Sequence, residues 1–568
     1  MVRTKKPKKP LSKGRRIVRK VFKTIGLIVL ALLILFLIFF GKTLFRTIYK
    51  SVDTGYKIVD TKMTTEQKLK DLDYMYDLVC LNNPRKELFE KAYKISYEDL
   101  YKKYREIVIK SESEYEFFSY MTCFVADLPG LHNFMGLPDY KRNCAQMGYS
   151  MNDIYGTQEM KNYTYSWQES FRDDVKKFME IKPVIFRYID GNYIATSSDE
   201  KKLDERFAGG RIVSLNGKDP KEMCFDVFNS FSPTYDCGHD CYYRSLLFFN
   251  DRSGIKYSAE ILMPDGKTVT TDLYCDPRVE MAFLEGDSTY PDEKDASDKS
   301  SEKSEETVTD VMDPNYVPST YKIAKDESRK LVYLRYKQCE RPEARRMALE
   351  LQKALDDVNA ETVILDIRNN PGGTSTVANQ ILLPVLFSHD IEFNARNVGK
   401  LNDHTKKFDT ALTRLFNTAD MKIEKKDGYY YYRENASVKA QAARNYKIYV
   451  LTSQSTFSTA DLIAMLCKKY DNAVLVGTNT GGEGVGGYAV NCILPESHFG
   501  FVYVPTVNEE YPEDSFNGIQ PDVYSAGTYE EYLYINDMEK QGKDYDSYES
   551  RQKWDGTLKK VLNMVDGK

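Results

Sequence analysis

The sequence predicts a multidomain protein whose largest part is an α/β domain with a mainly parallel sheet. Three observations predict this. From about residue 318 strand and helix patterns alternate, short alternating segments with Asp-Gly and Asn-Gly turns fill residues 180–280, and residues 24–41 are uncharged and apolar. Strand–helix–strand repetition implies right-handed crossovers between parallel neighbours, whereas the alternating segments are typical of antiparallel hairpins.

The amino terminus predicts a membrane anchor. Residues 1–20 hold ten basic residues and no acidic one, and the stretch TIGLIVLALLILFLIFFG follows at 24–41. A helix of that length spans about 27 Å, enough to cross the bilayer core. The positive-inside rule then makes the chain a single-pass protein of the cell membrane, with a cytoplasmic amino terminus and an extracytoplasmic body. A cleaved signal peptide is the alternative, but GKTLFRTIYK offers no small-x-small cleavage site.

Charge and cysteine content exclude several functional classes. The chain carries a net charge of −4, and the part after residue 20 carries −14, so broad nucleic-acid binding is not expected. Ten cysteines in 568 residues are too few for a disulfide framework. In CGHDC, Cys237, His239 and Cys241 supply only three metal ligands, so we expect a local disulfide or two free thiols there.

The composition also divides the chain into segments. Helical three- and four-residue spacing runs through residues 60–125, and residues 285–310 hold ten acidic residues against three lysines. The predicted segments are a basic cytoplasmic tail at 1–23, a transmembrane anchor at 24–41, a helical bundle at 42–150, a β-rich domain at 151–284, an acidic linker at 285–317, the α/β domain at 318–530 and a carboxy-terminal helical tail at 531–568.

Polar, glycine-rich turns follow three strands of the α/β domain. The strands TVILDIR, YKIYVLTSQ and AVLVG run into residues 369–373, 455–461 and 478–487. The carboxyl ends of parallel strands share one edge of the sheet, which is where such domains place their sites. Taken singly, each turn has an ordinary interpretation as a tight turn, a capping serine or a flexible loop. Their common location favours one site with a serine at a helix start and exposed backbone N–H groups.

Four motifs in this order resemble the C-terminal processing peptidases, also called tail-specific proteases, and their tricorn-like relatives. The motifs are LDIRNNPGG, STFSTADLIA, VGTNTGGEG and GIQPDV, and the resemblance covers most of residues 320–525. The resemblance is looser upstream, where DLPGLHNF and RIVSLNGKDP look like the family's amino-terminal bundle and PDZ-like domain. It implies a crotonase-like (ClpP/crotonase type) catalytic domain, serine endopeptidase activity on a protein or peptide substrate, and no metal or cofactor.

The resemblance also implies roles for individual residues. Ser458 matches the family nucleophile, and Gly372, Gly373 and the N–H of Thr459 match positions that build the oxyanion hole. Many members activate the serine with a lysine, but Glu483 stands at that position, 25 residues after Ser458. A carboxylate beside a serine is a poor base at neutral pH, which excludes a Ser–Lys dyad unless another lysine substitutes.

The tricorn-like branch uses a histidine from the amino-terminal part instead. His132 matches that branch's Asp-Gly-His position, although Leu131 replaces the glycine, and this implies that His132 is the general base. A downstream glutamate assists the histidine in tricorn. Glu510 and Glu513 in NEEYPEDSF are candidates for this acid here, and so is Glu483.

The sequence therefore predicts a membrane-anchored serine endopeptidase that hydrolyses extracytoplasmic proteins, with a PDZ-like domain that binds a chain terminus by strand addition. One alternative is a non-catalytic ligand- or partner-binding protein on the same fold, since a glutamate replaces the lysine. Another is a membrane-tethered scaffold that uses the bundle and the PDZ-like domain for partners. A site in which His132 lies near Ser458 favours the enzyme.

Overall fold

The computed structural model describes residues 23–27, 29–36, 57–128, 130, 132–135, 158–197, 203–285, 316–402, 424–471, 473–485, 490–510 and 514–568. The chain divides into two compact units, of which the first comprises residues 1–61 and 137–168 and the second residues 62–136 and 169–568. Most of the predicted basic tail and of the acidic linker lies outside the described residues.

The first unit includes the segment predicted to be an anchor. Residues 23–27 and 29–36 are helical, and residues 28 and 37–41 lie outside the described part of the chain. Among the described helices, none combines the length and the apolar character needed to cross a membrane. A further helix, Gln158–Met179, begins in the first unit and ends in the second.

The second unit begins with four helices, which cover most of the segment predicted to be helical: Thr65–Cys80, Lys86–Tyr93, Tyr97–Lys110 and Glu114–Asp127. Hydroxyl side chains begin three of them, because the oxygens of Thr64, Ser96 and Ser113 accept backbone N–H groups of the first turn. In the last helix Phe118 packs edge-on against Phe499, with ring centroids 5.0 Å apart. This contact joins the helices to the α/β part of the chain.

The predicted β-rich region forms an antiparallel sheet of six strands, as the hairpin turns indicated. In spatial order the strands are Leu246–Phe249, Val184–Ile189, Asn192–Ala195, Arg211–Leu215, Ile255–Leu262 and Thr268–Cys275. A 3₁₀ turn, Pro220–Met223, and a two-stranded hairpin, Thr234–Asp236 with Cys241–Tyr243, lie between them in sequence. The helix Pro277–Glu285 follows the last strand. Binding of a chain terminus to this region remains a prediction from the sequence.

Glu280 is a buried carboxyl group in that helix. Its side chain is 1% exposed, and its Oε1 accepts hydrogen bonds from the N–H and the hydroxyl of Ser230. Burial raises the pKa of Glu280 to about 7, although the bonds from Ser230 and the charge of Arg244 act in the opposite direction. The folded state therefore favours the protonated acid, and the stability that this provides is lost as the pH rises through about 7.

Glu280→Gln should stabilise the protein at alkaline pH, because the amide keeps the acceptor for Ser230 and cannot ionise. Relative to wild type, we expect the free energy of unfolding at about pH 8 to increase by up to about 3 kcal/mol, with a much smaller gain at about pH 5. Denaturant unfolding at both pH values measures this difference, and Glu222→Gln, an exposed site, is the control. Equal effects of Glu280→Gln at the two pH values would contradict the buried-acid explanation.

The α/β part contains the predicted parallel sheet. Its six strands lie in the order Tyr321–Asp326, Leu331–Tyr336, Thr362–Asp366, Lys447–Thr452, Val474–Gly477 and Val523–Tyr524. The first pair is antiparallel, and all the other neighbours are parallel. The central strands are buried along their length, which explains why they are continuous apolar runs in the sequence. The prediction of a mainly parallel sheet is confirmed.

Helices cover both faces of this sheet. The helices Arg341–Asp357 and Thr459–Tyr470 pack on one face, together with the short helical turns Ser375–Val377, Ala378–Leu382 and Leu383–Leu386. On the other face Leu558, Val561 and Leu562 of the helix Gly556–Val565 pack against the sheet. The helices Tyr529–Lys540 and Tyr548–Trp554 precede that helix, so the end of the chain completes the second layer.

Two smaller sheets lie beside the parallel one. One is four-stranded, in the order Glu424–Lys426, Tyr429–Val438, Ile391–Lys400 and Thr506–Asn508. The other is three-stranded, with the strand Gly500–Tyr503 between Phe134–Met135 and Val490–Ile493. A last short helix, Asp514–Asn517, follows them. The three-stranded sheet is important for the site, because it ties the segment that carries His132 to the α/β part.

Candidate active site

The three polar turns meet at the carboxyl edge of the parallel sheet. The backbone N–H of Ser458 donates to the carbonyl oxygen of Gly482 (3.1 Å), and the N–H of Phe457 donates to the carbonyl oxygen of Asn370 (3.0 Å). A Cβ atom added to Gly372 would lie 2.8 Å from Ser458 Cβ, so any side chain there would displace the serine. The structure thus brings together the segments that the sequence placed at one edge.

Ser458 occupies the helix N-cap position without acting as a cap. Its backbone has φ +56° and ψ −121°, whereas a capping serine adopts an extended conformation, and its side chain makes no capping hydrogen bond. A positive φ in a residue with a side chain is strained and is common where function requires it. Within the described residues its hydroxyl forms no hydrogen bond, which leaves it available for chemistry. The capping interpretation therefore does not explain this serine.

The backbone N–H groups around Ser458 differ in their availability. The N–H of Gly372 donates to Asn370 Oδ1 (2.9 Å). Neither the N–H of Gly373 nor that of Thr459 has an acceptor among the described residues. The hydroxyl of Thr459 donates to the carbonyl oxygen of Gly373 (2.8 Å), which fixes these two residues relative to each other. Of the two predicted glycines, Gly373 is the one whose N–H has no acceptor within the described part of the chain.

His132 is held by the segment that follows the helix Glu114–Asp127. Asp127, at the end of that helix, is fully buried and accepts hydrogen bonds from the Tyr104 hydroxyl (2.7 Å) and from Arg244. Beyond His132, the side chain of Asn133 accepts the N–H of Val504 (3.2 Å), and the strand Phe134–Met135 then pairs with Gly500–Tyr503. These contacts fix His132 on both sides although it is more than 300 residues away from Ser458 in sequence.

The His132 ring lies against the glycine-rich loop. Its Nδ1 is 2.8 Å from Glu483 Oε2, and the same oxygen accepts the backbone N–H of His132 (2.8 Å). The side chains are 31% and 12% exposed, respectively, so solvent screens this pair only in part. Burial lowers the pKa of His132, but the charge and the hydrogen bond of Glu483 outweigh it, and the net pKa lies above the usual 6.5. The contact leaves Nε2 as the ring nitrogen that can exchange a proton elsewhere.

The His132 ring lies beside Phe457, the residue before Ser458. The ring centroids of His132 and Phe457 are 4.6 Å apart, and Phe457 directly precedes Ser458. No hydrogen bond joins the His132 ring to the Ser458 hydroxyl within the described residues. Such bonds are often long in the absence of substrate and shorten in the reactive complex. The His132 ring thus contacts the residue that directly precedes Ser458.

The three candidate acids are in different situations. Glu483 contacts His132 directly, as described above. Glu510 donates its backbone N–H to Asn508 Oδ1 (2.9 Å) and has no contact with His132. Glu513 lies outside the described residues. Of the three predicted acids, Glu483 is the one whose carboxylate contacts the histidine in this structure.

A buried ion-pair network supports the turn that carries the two glycines. Asp366, at the end of its strand, is fully buried and accepts hydrogen bonds from Arg368 Nε (2.9 Å) and Nη2 (2.6 Å). Arg368 also binds both carboxylate oxygens of Asp555. Burial by itself would raise the pKa of Asp366. The guanidinium groups of Arg368 and Arg335 outweigh this effect and hold that pKa well below its usual range. Asp555, at the start of the last helix, thus helps to fix the end of the strand Thr362–Asp366 through Arg368.

Sequence reasoning missed two residues that shape the site. Asp461 is buried in the first turn of the helix after Ser458, and its carboxylate binds the glycine-rich loop. Asn479 is also buried, and its Oδ1 accepts the N–H of Cys237 from the β-rich region (3.2 Å). An acidic residue in the first turn of a helix is visible in the sequence, but such residues usually only interact favourably with the helix dipole. Nothing in the sequence indicated the contact between Asn479 and Cys237.

The CGHDC segment is the tip of the two-stranded hairpin. Cys237 and Cys241 are free thiols, so of the two predicted states the structure has the free thiols and not the local disulfide. His239 Nδ1 is 2.9 Å from Asp236 Oδ2, and the hydroxyl of Tyr188 donates to the same oxygen (2.8 Å). Among the described residues, no group of three or more histidine, cysteine or acidic side chains is arranged to hold a metal ion.

Comparison with known proteins identifies the family of the α/β part. Residues 330–525 match the sequence model described as Peptidase family S41. This range contains Gly372, Gly373, Ser458, Thr459 and Glu483, whereas His132 lies outside it. No curated protein matches the chain by sequence.

Several solved structures are also similar to the chain. Mature CPAF complexed with lactacystin is 13% identical, and the match covers 89% of this chain and 99% of that one with a TM-score of 0.46. The photosystem II D1 C-terminal processing protease is 12% identical, and the match covers 82% of this chain and 94% of that one with a TM-score of 0.33. The tricorn protease is 13% identical, and the match covers 89% of this chain and 37% of that one with a TM-score of 0.29. All three TM-scores are below 0.5.

Proposed function

We propose that the chain is a membrane-anchored serine endopeptidase with Ser458 as nucleophile and His132 as general base, and that residues 330–525, which match Peptidase family S41, form its catalytic domain. Its substrates are extracytoplasmic proteins. The observation that carries the assignment of the nucleophile is the backbone of Ser458, which is strained at φ +56° and leaves the hydroxyl without a hydrogen-bond partner among the described residues.

The proposed reaction is acyl transfer in two steps. His132 Nε2 accepts the hydroxyl proton of Ser458 while Oγ attacks the carbonyl carbon of the scissile peptide bond, and the N–H groups of Gly373 and Thr459 stabilise the oxyanion. The C–N bond then breaks, and His132 donates its proton to the leaving amine. Water attacks the acyl ester, His132 takes up a proton from the water, and this proton returns to Ser458 as the acid product leaves.

In this proposal Glu483 is the acid that assists the histidine. Its contact with Nδ1 keeps the proton on that nitrogen, orients the ring and stabilises the imidazolium that forms during the reaction. This role accounts for the missing lysine, because a base from another segment occupies the site and a carboxylate takes the lysine's position. A neighbouring carboxylate also makes His132 a stronger base, consistent with the raised pKa of the ring.

The anchoring part of the proposal rests on the amino terminus. Residues 24–41 are apolar, ten basic residues precede them within residues 1–20, and the described residues of the stretch are helical. The positive-inside rule then puts the peptidase domain outside the cytoplasm.

A single labelling experiment tests both activity and topology. Cells that express the full chain are treated with a fluorophosphonate probe that crosses membranes or with one that does not, and the labelled protein is mapped by peptide mass spectrometry. We expect one adduct, on the peptide that contains Ser458, with both probes. An adduct on another residue would refute the nucleophile assignment. Labelling by the permeant probe alone would refute the extracytoplasmic location.

Failure of both probes to label the folded protein, together with no cleavage of casein, would favour the alternative of a binding protein on the same fold. The substitution of the lysine by Glu483 motivates that alternative. The contact between Glu483 and His132 weighs against it, because it restores a base for the serine.

A further inference from the structure

Asp461 is a buried acid that the proposed reaction does not use. It is the third residue of the helix Thr459–Tyr470, one turn beyond Ser458, and is 2% exposed. Its two carboxylate oxygens bind different parts of the glycine-rich loop. Oδ1 accepts the hydroxyl of Thr480, and Oδ2 accepts the backbone N–H of Gly484 (2.9 Å). These partners lie 19 and 23 residues further along the chain.

The two contacts enclose Glu483. Thr480 is three residues before it and Gly484 is the next residue after it, so both sides of this short segment are tied to one carboxylate. Thr480 is itself fixed, because its hydroxyl oxygen accepts the N–H of Ile519 (2.6 Å) and its side chain is fully buried. Asp461 therefore ties both sides of Glu483 to the helix, in addition to the backbone bond from Ser458 to Gly482.

The loop also lies unusually close to the helix at this point. A Cβ atom added to Gly484 would be 2.4 Å from the backbone nitrogen of Leu462 and 2.6 Å from Asp461 Oδ2. Glu483 has φ +57°, a conformation that residues with side chains rarely adopt. A loop held this tightly, with a strained residue at its centre, needs an anchor that compensates for the strain.

We infer that Asp461 is a positioning residue, whose carboxylate holds residues 480–484 against the nucleophile helix and so keeps the Glu483 carboxylate in contact with His132. The inference rests on the proposed function, since it assigns a role through the Glu483–His132 pair. In this role Asp461 acts through Glu483. It connects the segment that supplies the nucleophile with the segment that supplies the acid.

The test is Asp461→Asn, which preserves the size of the side chain but removes its charge and one of its two acceptor oxygens. The rate of labelling by the fluorophosphonate probe should fall about tenfold or more, because small displacements of a catalytic group have effects of this size. The fraction of protein finally labelled should stay unchanged. The pH midpoint of the rate should fall towards that of Glu483→Gln, because Glu483 is the charged group that raises the pKa of His132.

Asp471→Asn is the matched control. Asp471 is the C-cap of the same helix, about 15 Å from Asp461 along the helix axis. We expect this variant to keep the wild-type rate and pH midpoint. If Asp461→Asn also keeps both, the inference is wrong. It is equally wrong if the rate falls only in proportion to the labelled fraction while the pH midpoint stays in place, since that result indicates loss of folded protein alone.

A second measurement separates this inference from the proposed function. The pKa of His132 is determined by NMR titration of histidine-labelled protein in the Ser458→Ala background, where no catalysis is needed. Adding Asp461→Asn should lower that pKa, and an unchanged value overturns the inference. Absence of labelling in the wild type would instead refute the proposed function and would leave this titration as the deciding test for Asp461.

Discussion

Replacing Ser458 with alanine should lower kcat/KM for casein cleavage by about 10⁴-fold or more, because removal of the nucleophile leaves only binding and the oxyanion hole. The variant should fold normally, since the hydroxyl forms no hydrogen bond among the described residues and alanine meets the same backbone strain as serine. Cleavage of a labelled casein by the purified full-length protein, with thermal unfolding in parallel, measures both quantities.

Ser455→Ala provides the control for this prediction. Ser455 belongs to the same turn and is exposed, so its removal should change kcat/KM by less than about twofold. A Ser458→Ala protein that retains more than about a tenth of the wild-type activity would show that another residue attacks the substrate.

Replacing His132 with alanine should lower kcat/KM by about 10⁴-fold, because the Ser458 hydroxyl loses its proton acceptor. The raised pKa of His132 also fixes the direction of the pH dependence. A general base must be neutral, so wild-type activity should increase with pH through a midpoint above 6.5. Initial rates of casein cleavage across the pH range give both the midpoint and the loss in the variant.

His389→Ala is the control for the histidine. The Nε2–H of His389 donates to the backbone carbonyl oxygen of Tyr470 (3.0 Å), and the residue lies in a segment without motif character. We expect its removal to leave kcat/KM and the pH midpoint unchanged. A His132→Ala protein that cleaves casein at the wild-type rate, or a wild-type midpoint below 6.5, would contradict the assignment of the base.

The mainly parallel sheet could be predicted because its signals are local. Strands buried on both faces appear as continuous apolar runs, such as that of Thr362–Asp366, and the helices between them show their own spacing. The turns after these strands could be placed at one edge from the topology alone. The family resemblance was carried by short motifs in those same turns, and the match of residues 330–525 to Peptidase family S41 confirms it.

The partner of His132 could not be predicted in the same way. Glu483, Glu510 and Glu513 were equivalent candidates, because a contact between residues 351 positions apart leaves no pattern in the spacing. The strand Phe134–Met135 pairs with the strand Gly500–Tyr503, and this pairing brings the His132 segment to the glycine-rich loop, where Glu483 is the acid within reach. Only after that pairing does the replacement of lysine by glutamate have a structural explanation.

The sequence by itself determined the parallel sheet, the edge at which a site forms and the serine at the start of a helix. These depend on side-chain periodicity and on turns within a few residues of each other. The tertiary structure decided that, among the described residues, the N–H of Gly372 has an acceptor and that of Gly373 has none, that Glu483 binds His132 and that Asp461 ties the loop to the helix. These depend on hydrogen bonds between distant segments, whose geometry is set by packing and is not encoded in local sequence spacing.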